Sequence, residues 1–346
     1  MIEIISEKEK WHNVLEAADS FDVYHTYEYH HISKKPDEKP MLLTYSEEDR
    51  MIAIPLLLRK IPNSIYKDCT SVYGYGGPVT KNLSQNFDQA NFASKIHDFL
   101  LINNIVSVFS RLNPFISNQP FCLQGMGEII SSSRIVNIDI TQNLEEQKKD
   151  YGKRLRTHIN KARRACYVRQ AESKEEVLEY IKLYYENMTR VNAKKEYFFS
   201  EDYFFGLLDA KDFDTRILLS IEKETHKIIA GAMFIKTNNI VQYHLSGSDA
   251  NYLHLYPIKL LIDEMRVRAT LENCIFYNLG GGVGYKEDSL FDFKSAYSKD
   301  FKPFSLWRYI VNLEVYNKLI AEKEEKSCSP TLKKCSHFFP CYRCKQ

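Results

Sequence analysis

Cys274-Ile275-Phe276-Tyr277-Asn278-Leu279-Gly280-Gly281-Gly282-Val283-Gly284, followed by Asp288-Ser289-Leu290-Phe291-Asp292-Phe293-Lys294-Ser295-Ala296-Tyr297, is the stretch on which the reading of this chain turns. An apolar, strand-sized run ends in glycines 280, 281, 282 and 284, which let the backbone pass close to a ligand or take a positive φ. The chain then delivers one lysine, Lys294, between aromatics at 291, 293 and 297. A lysine fenced by rings loses little entropy on meeting an anion, so the pattern suits a site that handles developing negative charge. The plainer alternative is a glycine loop that only turns the chain, with Lys294 solvated.

Several chemistries are excluded around this loop. Gly282-Val283-Gly284-Tyr285-Lys286-Glu287 lacks the third glycine of a dinucleotide fingerprint. The chain has no phosphate-binding G-x-x-x-x-G-K-[ST], no G-x-S-x-G and no H-E-x-x-H.

The 346 residues suffice for two average domains. A formal net charge of +2 gives no global reason to expect nucleic-acid coating, and DNA is not an expected partner. The first residues lack the basic start and apolar core of a signal peptide. No apolar run approaches the ~20 residues that span a bilayer. A cytoplasmic location without a transmembrane segment is the resulting expectation. Cys69, Cys122, Cys166 and Cys274 read as small core residues. Cys328, Cys335, Cys341 and Cys344 crowd the tail with His337, but only Cys341/Cys344 has the spacing of a zinc knuckle. No metal is expected, and free or redox-sensitive tail thiols are.

Lys148–Arg169 carries the one strong local charge excess, nine Lys or Arg against Asp150. At helical spacing Leu155, Ile159, Ala162 and Cys166 share one face, while Lys153, Arg156, Asn160 and Arg164 share the other. That is an amphipathic helix with a cationic stripe, fit for phosphates or an RNA end, or else a solvated basic face.

Hydrophobic periodicity predicts the rest. Helices are expected at 7–18, 26–33, 85–103, 174–190, 201–209, 257–272 and 313–322. Strands are expected at 40–46, 51–58, 105–111, 134–140, 216–222, 228–236, 240–245, 274–279 and 304–311. Tyr73-Gly74-Tyr75-Gly76-Gly77-Pro78 reads as a rigid loop with an aromatic wall. A similar order of helices, hairpin and strands recurs loosely in both halves, which points to two related α/β units.

Four segments together resemble the FemAB-like acyltransferases of the GNAT superfamily. They are Tyr75-Gly76-Gly77-Pro78, the helix Lys153–Ala162 with its R-x-x-I-x-K-A pattern, Tyr243-His244-Leu245-Ser246-Gly247-Ser248 before the Pro257 helix, and Asn278-Leu279-Gly280-Gly281-Gly282 with Phe293-Lys294-x-x-Tyr297. The resemblance covers about residues 1–320. It implies an α/β (α+β) fold of tandem GNAT-like subdomains with mixed sheets and a groove between them: 1–145, 146–322 with the basic helix and glycine/lysine loop, and a cysteine-containing tail, 323–346. It implies transfer of an acyl or aminoacyl group to an amine, in a cell-envelope or surface-glycan precursor, without a bound cofactor. The donor is acyl-CoA or aminoacyl-tRNA. The chain lacks both a clear R/Q-x-x-G-x-G/A loop for acyl-CoA and a long helical-hairpin insertion.

On this reading Lys294 serves the oxyanion of the tetrahedral intermediate or a nearby donor phosphate, and His244 is a candidate base. Gly280, Gly281 and Gly282 shape the wall beside Lys294. Arg156, Lys153 and Lys161 meet phosphates, Lys161 on the strength of the resemblance. Tyr75, Tyr243 and Phe293 line the site. Two rival readings are a non-catalytic module binding an anionic glycan or RNA end, and a small-molecule N-acetyltransferase using acetyl-CoA. The tail beyond about 325 is expected to be peripheral.

Overall fold

The structure, a computed structural model, describes residues 1–84, 86–326 and 338–344. Thirteen strands occupy β1 Ile2–Ile5, β2 Glu38–Glu47, β3 Arg50–Lys60, β4 Lys67–Thr70, β5 Val79–Lys81, β6 Ile105–Arg111, β7 Glu128–Asp139, β8 Cys166–Gln170, β9 Asp214–Glu222, β10 Ile228–Thr237, β11 Ile240–Ser248, β12 Phe276–Gly280 and β13 Asp300–Ile310 among the described residues. The helices are α1 Lys8–Glu16, α2 Tyr27–Ser33, α3 Gln89–Ile102, α4 Gln119–Cys122, α5 Leu144–Gln147, α6 Lys153–Ala165, α7 Lys174–Arg190, α8 Glu201–Asp209, α9 Pro257–Leu271, α10 Ser289–Ser295 and α11 Leu313–Lys326. Among these no helix is long and apolar enough to cross a membrane.

The chain forms two compact units, residues 1–132 with 304–346, and residues 133–303. These bounds differ from the expected division at 145 and 322. The first boundary falls inside β7. The segment from Phe304 returns to the first unit because β13 pairs antiparallel with β6, Leu306 opposite Arg111 through Ile310 opposite Ser107. Each unit carries a mixed sheet. In the first, β1, β2, β3, β4, β6 and β13 lie side by side, with β5 also on β3 and a parallel step between β4 and β6. In the second the order is β7, β12, β11, β10, β9, β8, with one parallel step between β11 and β12. The expected α/β class with mixed sheets is borne out.

The first unit is tied together by buried polar groups. Asp68 is fully buried and receives Arg59 Nε at 2.7 Å, the Tyr342 hydroxyl at 2.9 Å and the guanidinium of Arg343. Arg343 also donates to the Lys60 carbonyl at 2.7 Å, and Phe339 stacks on Tyr316. Residues 338–344 are therefore part of this unit and not a peripheral tail. The reason is a buried carboxylate that needs paired donors. Cys341 is a free thiol and Cys344 is disulfide-bonded, which corrects the free-thiol expectation for Cys344. Cys328, Cys335 and His337 lie outside the described residues.

In the second unit, the apolar stripe of α6 (Leu155, Ile159, Ala162) is buried as expected. Cys166 leaves it, because the helix ends at Ala165 and Cys166 opens β8, opposite Glu222 of β9. Two glycines permit close packing on the sheet. A Cβ at Gly231 would lie 2.5 Å from the Tyr180 ring, and one at Gly247 would lie 2.4 Å from the α7 backbone at Leu183 and Tyr184. Gly247 is thus a packing glycine within β11.

Candidate active site

Strands β11 and β12 pair in parallel only from Ile240/Phe276 to Gln242/Asn278. Beyond that point β12 continues against β7, where Gly280 is opposite Val136, and β11 continues against β10. At the parting the Asn278 amide donates to Gln242 Oε1 at 2.7 Å, and its own carbonyl oxygen accepts from Gly280 N at 2.7 Å. The separation leaves backbone of the glycine segment, and the face of Tyr243, without a strand neighbour between them.

The glycine loop turns back through two requirements. Gly280 has φ +77°, which favours glycine. A Cβ at Gly282 would fall 2.0 Å from the Lys286 carbonyl and 2.3 Å from Asp288 Oδ1, so no side chain fits there. Asp288 organises the start of α10. One carboxylate oxygen caps the helix by accepting from Leu290 N and Phe291 N at 3.1 Å each, and the other accepts from Val283 N at 3.0 Å. An aspartate accepting from the first amides of a helix is a strong N-terminal signal. Phe291 is buried in the core of the unit and sets the rotation of the short helix. Lys294, one turn on, is consequently turned inward.

Lys294 is 8% exposed. Its Nζ donates to the Gly281 carbonyl at 2.7 Å and sits 5.9 Å from the centre of the Tyr243 ring. Burial lowers its pKa to about 8, partly offset by the Asp288 carboxylate. The group is therefore a desolvated ammonium that is still mostly charged at neutral pH. Two of its three N–H bonds have no protein acceptor among the described residues. That is the arrangement required to stabilise a nascent oxyanion or hold a phosphate.

A second cationic group lies on α6 and α9. Tyr256, in the left-handed conformation at φ +57°, precedes Pro257 at the start of α9. The His158 ring stacks on it at 3.6 Å, and the ammonium groups of Lys161 and Lys259 lie over it at 5.6 and 5.4 Å. Lys259 Nζ donates to His158 Nδ1 at 2.8 Å, which requires a neutral imidazole with its proton on Nε2. Burial first, then the charges of Lys259, Arg154 and Lys161, lower the His158 pKa. Burial and Arg154 lower that of Lys259. Lys259 also lies 5.7 Å from the Phe293 ring centre, and its carbonyl accepts from the Tyr297 hydroxyl at 3.2 Å, which ties this cluster to α10. The α6–α9 contact is held by Asp263, buried against burial's own penalty by Arg163 at 2.6 Å, Arg266 at 3.0 Å and the Tyr151 hydroxyl at 2.8 Å.

Residues 209–303 match the model of the FemAB family. Over that stretch the chain is similar to the FemAB family. The match takes in β9 to α10, hence Tyr243, His244, Gly280 to Gly282, Phe293 and Lys294, but neither Tyr75 nor α6. Over most of its length the chain has the fold of a solved FemX, with 12% identity, a TM-score of 0.69 and coverage of 91% of this chain and 99% of that one. A conserved protein of unknown function from Bacteroides thetaiotaomicron superposes with 12% identity and a TM-score of 0.56, covering 90% and 100%. The C-terminal domain of a putative lysylphosphatidylglycerol synthetase from Agrobacterium fabrum does so with 12% identity and 0.54, covering 91% and 95%. No curated protein matched the chain.

Within this fold the expected residues separate. Lys294, Tyr243 and the glycine segment at Gly281 come together, while Phe293, through Lys259, and Lys161 join the neighbouring cluster. His244 does not join them. Its Nε2 shares a 2.9 Å hydrogen bond with the Tyr203 hydroxyl of α8, and burial lowers its pKa to about 4. Arg156 donates to the carbonyls of Tyr151, Lys148 and Lys149 at 3.0, 2.9 and 3.2 Å, closing the turn before α6. Lys153 is exposed. Tyr75 belongs to the first unit, where its ring meets Tyr24 and Phe304 edge-on and its carbonyl accepts from Asn113 at 3.0 Å. Sequence reasoning missed Arg154, His158, Tyr256 and Lys259. The proline after Tyr256 marks the helix start, but nothing local brings α6 to it.

Proposed function

We propose that this protein is an acyltransferase that moves an acyl or aminoacyl group to an amine, with an acceptor in a cell-wall or surface-glycan precursor. The observation that carries the reading is the Lys294 ammonium, buried, still charged, and held by one carbonyl where β11 and β12 part. Attack of a neutral amine on the donor carbonyl forms the new C–N bond and a tetrahedral oxyanion, whose collapse breaks the donor C–S or C–O bond and releases the CoA thiol or the tRNA hydroxyl, which takes up the proton the amine loses. Lys294 offers that oxygen a compact positive charge in a site of low polarity. The glycines at 281 and 282 let the loop fold tightly on itself and so hold the Gly281 carbonyl on Lys294, with the Tyr243 ring near the ammonium. Arg154, Lys161 and Lys259 supply charge for donor phosphates, which both acyl-CoA and aminoacyl-tRNA carry. The amine requires only modest help in losing its proton after attack. His244, neutral and bonded to Tyr203, is not assigned that task.

The test is a donor screen with the purified full-length protein, offering aminoacyl-tRNA or acyl-CoA with amine acceptors, and comparing wild type with Lys294→Ala. Transfer from one donor class that is lost in Lys294→Ala supports the reading and names the donor. Donor binding that Lys294→Ala leaves intact, with no transfer by the wild type from either donor, supports a binding module instead.

A further inference from the structure

The loop that presents Lys294 is fastened at its outer edge by one ion pair. Arg134 of β7 meets Glu287 through two parallel bonds, Nε to Oε1 at 2.8 Å and Nη2 to Oε2 at 2.9 Å. The same guanidinium lies 4.8 Å from the Phe301 ring centre and 5.8 Å from that of Phe291. Phe291 is the residue that sets α10 in the core. The Arg134 backbone also runs close beside the inner end of the loop, since a Cβ built on Gly281 would stand 3.2 Å from its carbonyl.

These contacts close a ring. Gly281 holds Lys294 Nζ, Asp288 holds Val283 N and the start of α10, and Glu287, beside Asp288, is held by Arg134. A forked guanidinium fixes both the position and the plane of its carboxylate, which a lysine does not. We propose that Arg134 is a positioning residue for Lys294: its paired bonds to Glu287 and its stacking on Phe291 and Phe301 keep the glycine loop closed on the ammonium. Release of the pair frees residues 281–287, admits water to Nζ and loosens the Gly281 bond. The groups facing Nζ are then unchanged in kind, Asp288 from the loop and the Tyr243 ring from β11, so any change in its ionisation reports its hydration.

The inference deepens the reading of Lys294 as the transfer-site cation, but its test does not need turnover. Lysines of the full chain are labelled as ¹³C-dimethylamines, the Lys294 signal is identified by its absence in Lys294→Arg, and its pKa is read by NMR titration. Amide hydrogen exchange is followed over 281–293. Arg134→Ala and Glu287→Gln are each expected to raise exchange in 281–287 about three- to fivefold, as loss of one well-formed surface pair allows. Each is also expected to move the Lys294 pKa up toward the ordinary lysine value. Arg134→Lys restores neither fully, and the exchanged pair Arg134→Glu with Glu287→Arg restores both in large part. Unaltered exchange and an unaltered Lys294 pKa in both Arg134→Ala and Glu287→Gln overturn the proposal and leave a surface ion pair. That outcome does not touch the transferase reading, and a silent donor screen does not touch the latch.

Discussion

Tyr243 and His244 are neighbours in β11, yet they look into different surroundings, and the contrast between those regions is instructive. On the Tyr243 side, Lys294 is buried beneath a carbonyl and an aromatic face. On the His244 side, a half-buried imidazole meets the Tyr203 hydroxyl. Burial pushes both pKa values down, to about 8 and about 4. The lysine starts high enough to stay charged at neutral pH, while the histidine is driven out of the range where it takes up a proton. One physical cause therefore makes an electrostatic centre in one region and a neutral structural hydrogen bond in the other.

The strongest way to break this comparison is kinetic. Lys294→Ala is expected to reduce turnover by roughly 10²–10³-fold, about 3–4 kcal/mol of transition-state stabilisation. Lys294→Arg rescues poorly because a planar fork does not replace a compact ammonium. His244→Gln is expected to stay within about tenfold of wild type, below the range that general-base loss gives. Measured kcat and KM decide between them. A Lys294→Ala enzyme with normal kcat and only a raised KM means uniform binding without transition-state action.

The second test is stability against pH. A lysine with a lowered native pKa binds fewer protons when folded than when unfolded between about pH 8 and its ordinary value near 10.5. Its burial thus destabilises the fold at neutral pH, and that cost fades as pH rises through this window. Lys294→Met is expected to be more stable than wild type by about 2–3 kcal/mol at pH 7, with the difference vanishing toward pH 10.5. Urea unfolding at several pH values checks this, and a Met variant less stable at pH 7 denies that Lys294 is a desolvated charge.

His244 has its own window in acid. Its native pKa is also lowered, so stability is full above the ordinary histidine value and is lost as pH falls from about 6.5 to about 4. His244→Gln is expected to lose less stability across that interval, by up to about 2–3 kcal/mol. His25 and His30, buried in the first unit with pKa values lowered to about 4 and about 3, keep contributing an acid limb in the variant. Identical acid limbs in wild type and variant would place the His244 ring in water.

The smallest expected effect isolates the bond itself. Tyr203→Phe removes the hydroxyl partner of His244 and is expected to cost about 1 kcal/mol of stability, with turnover unchanged within twofold. A large loss of turnover would give this pair a part in the chemistry and erase the contrast between the two regions.

Much of the second unit was legible because periodicity is local. The run to Leu279, the glycines and the inward stripe of α6 each follow from neighbours within a few residues. The short helix α10 was missed, because two turns beside the glycines give too little periodicity, although Asp288 is a capping residue. The basic helix shows where such reading stops. Its cations look equivalent on a helical projection, yet Arg156 spends its donors on the turn before the helix. Arg154, His158 and Lys161 gain their meaning from Lys259, about a hundred residues later. The tail shows the same limit: nothing near Tyr342 or Arg343 announces that Asp68 requires them.

By itself, then, the sequence determined the α/β alternation, the extent of most elements, and the choice of Lys294 as the residue to watch, because backbone preference, amphipathic spacing and glycine freedom act over short range. Only the tertiary structure decided that the chain from Phe304 returns to the first unit, that His244 turns to Tyr203, and that Lys259 completes the cation cluster on Tyr256. Those outcomes depend on desolvation and on pairing between groups far apart in the chain. Both are set by which surfaces the packed fold brings together.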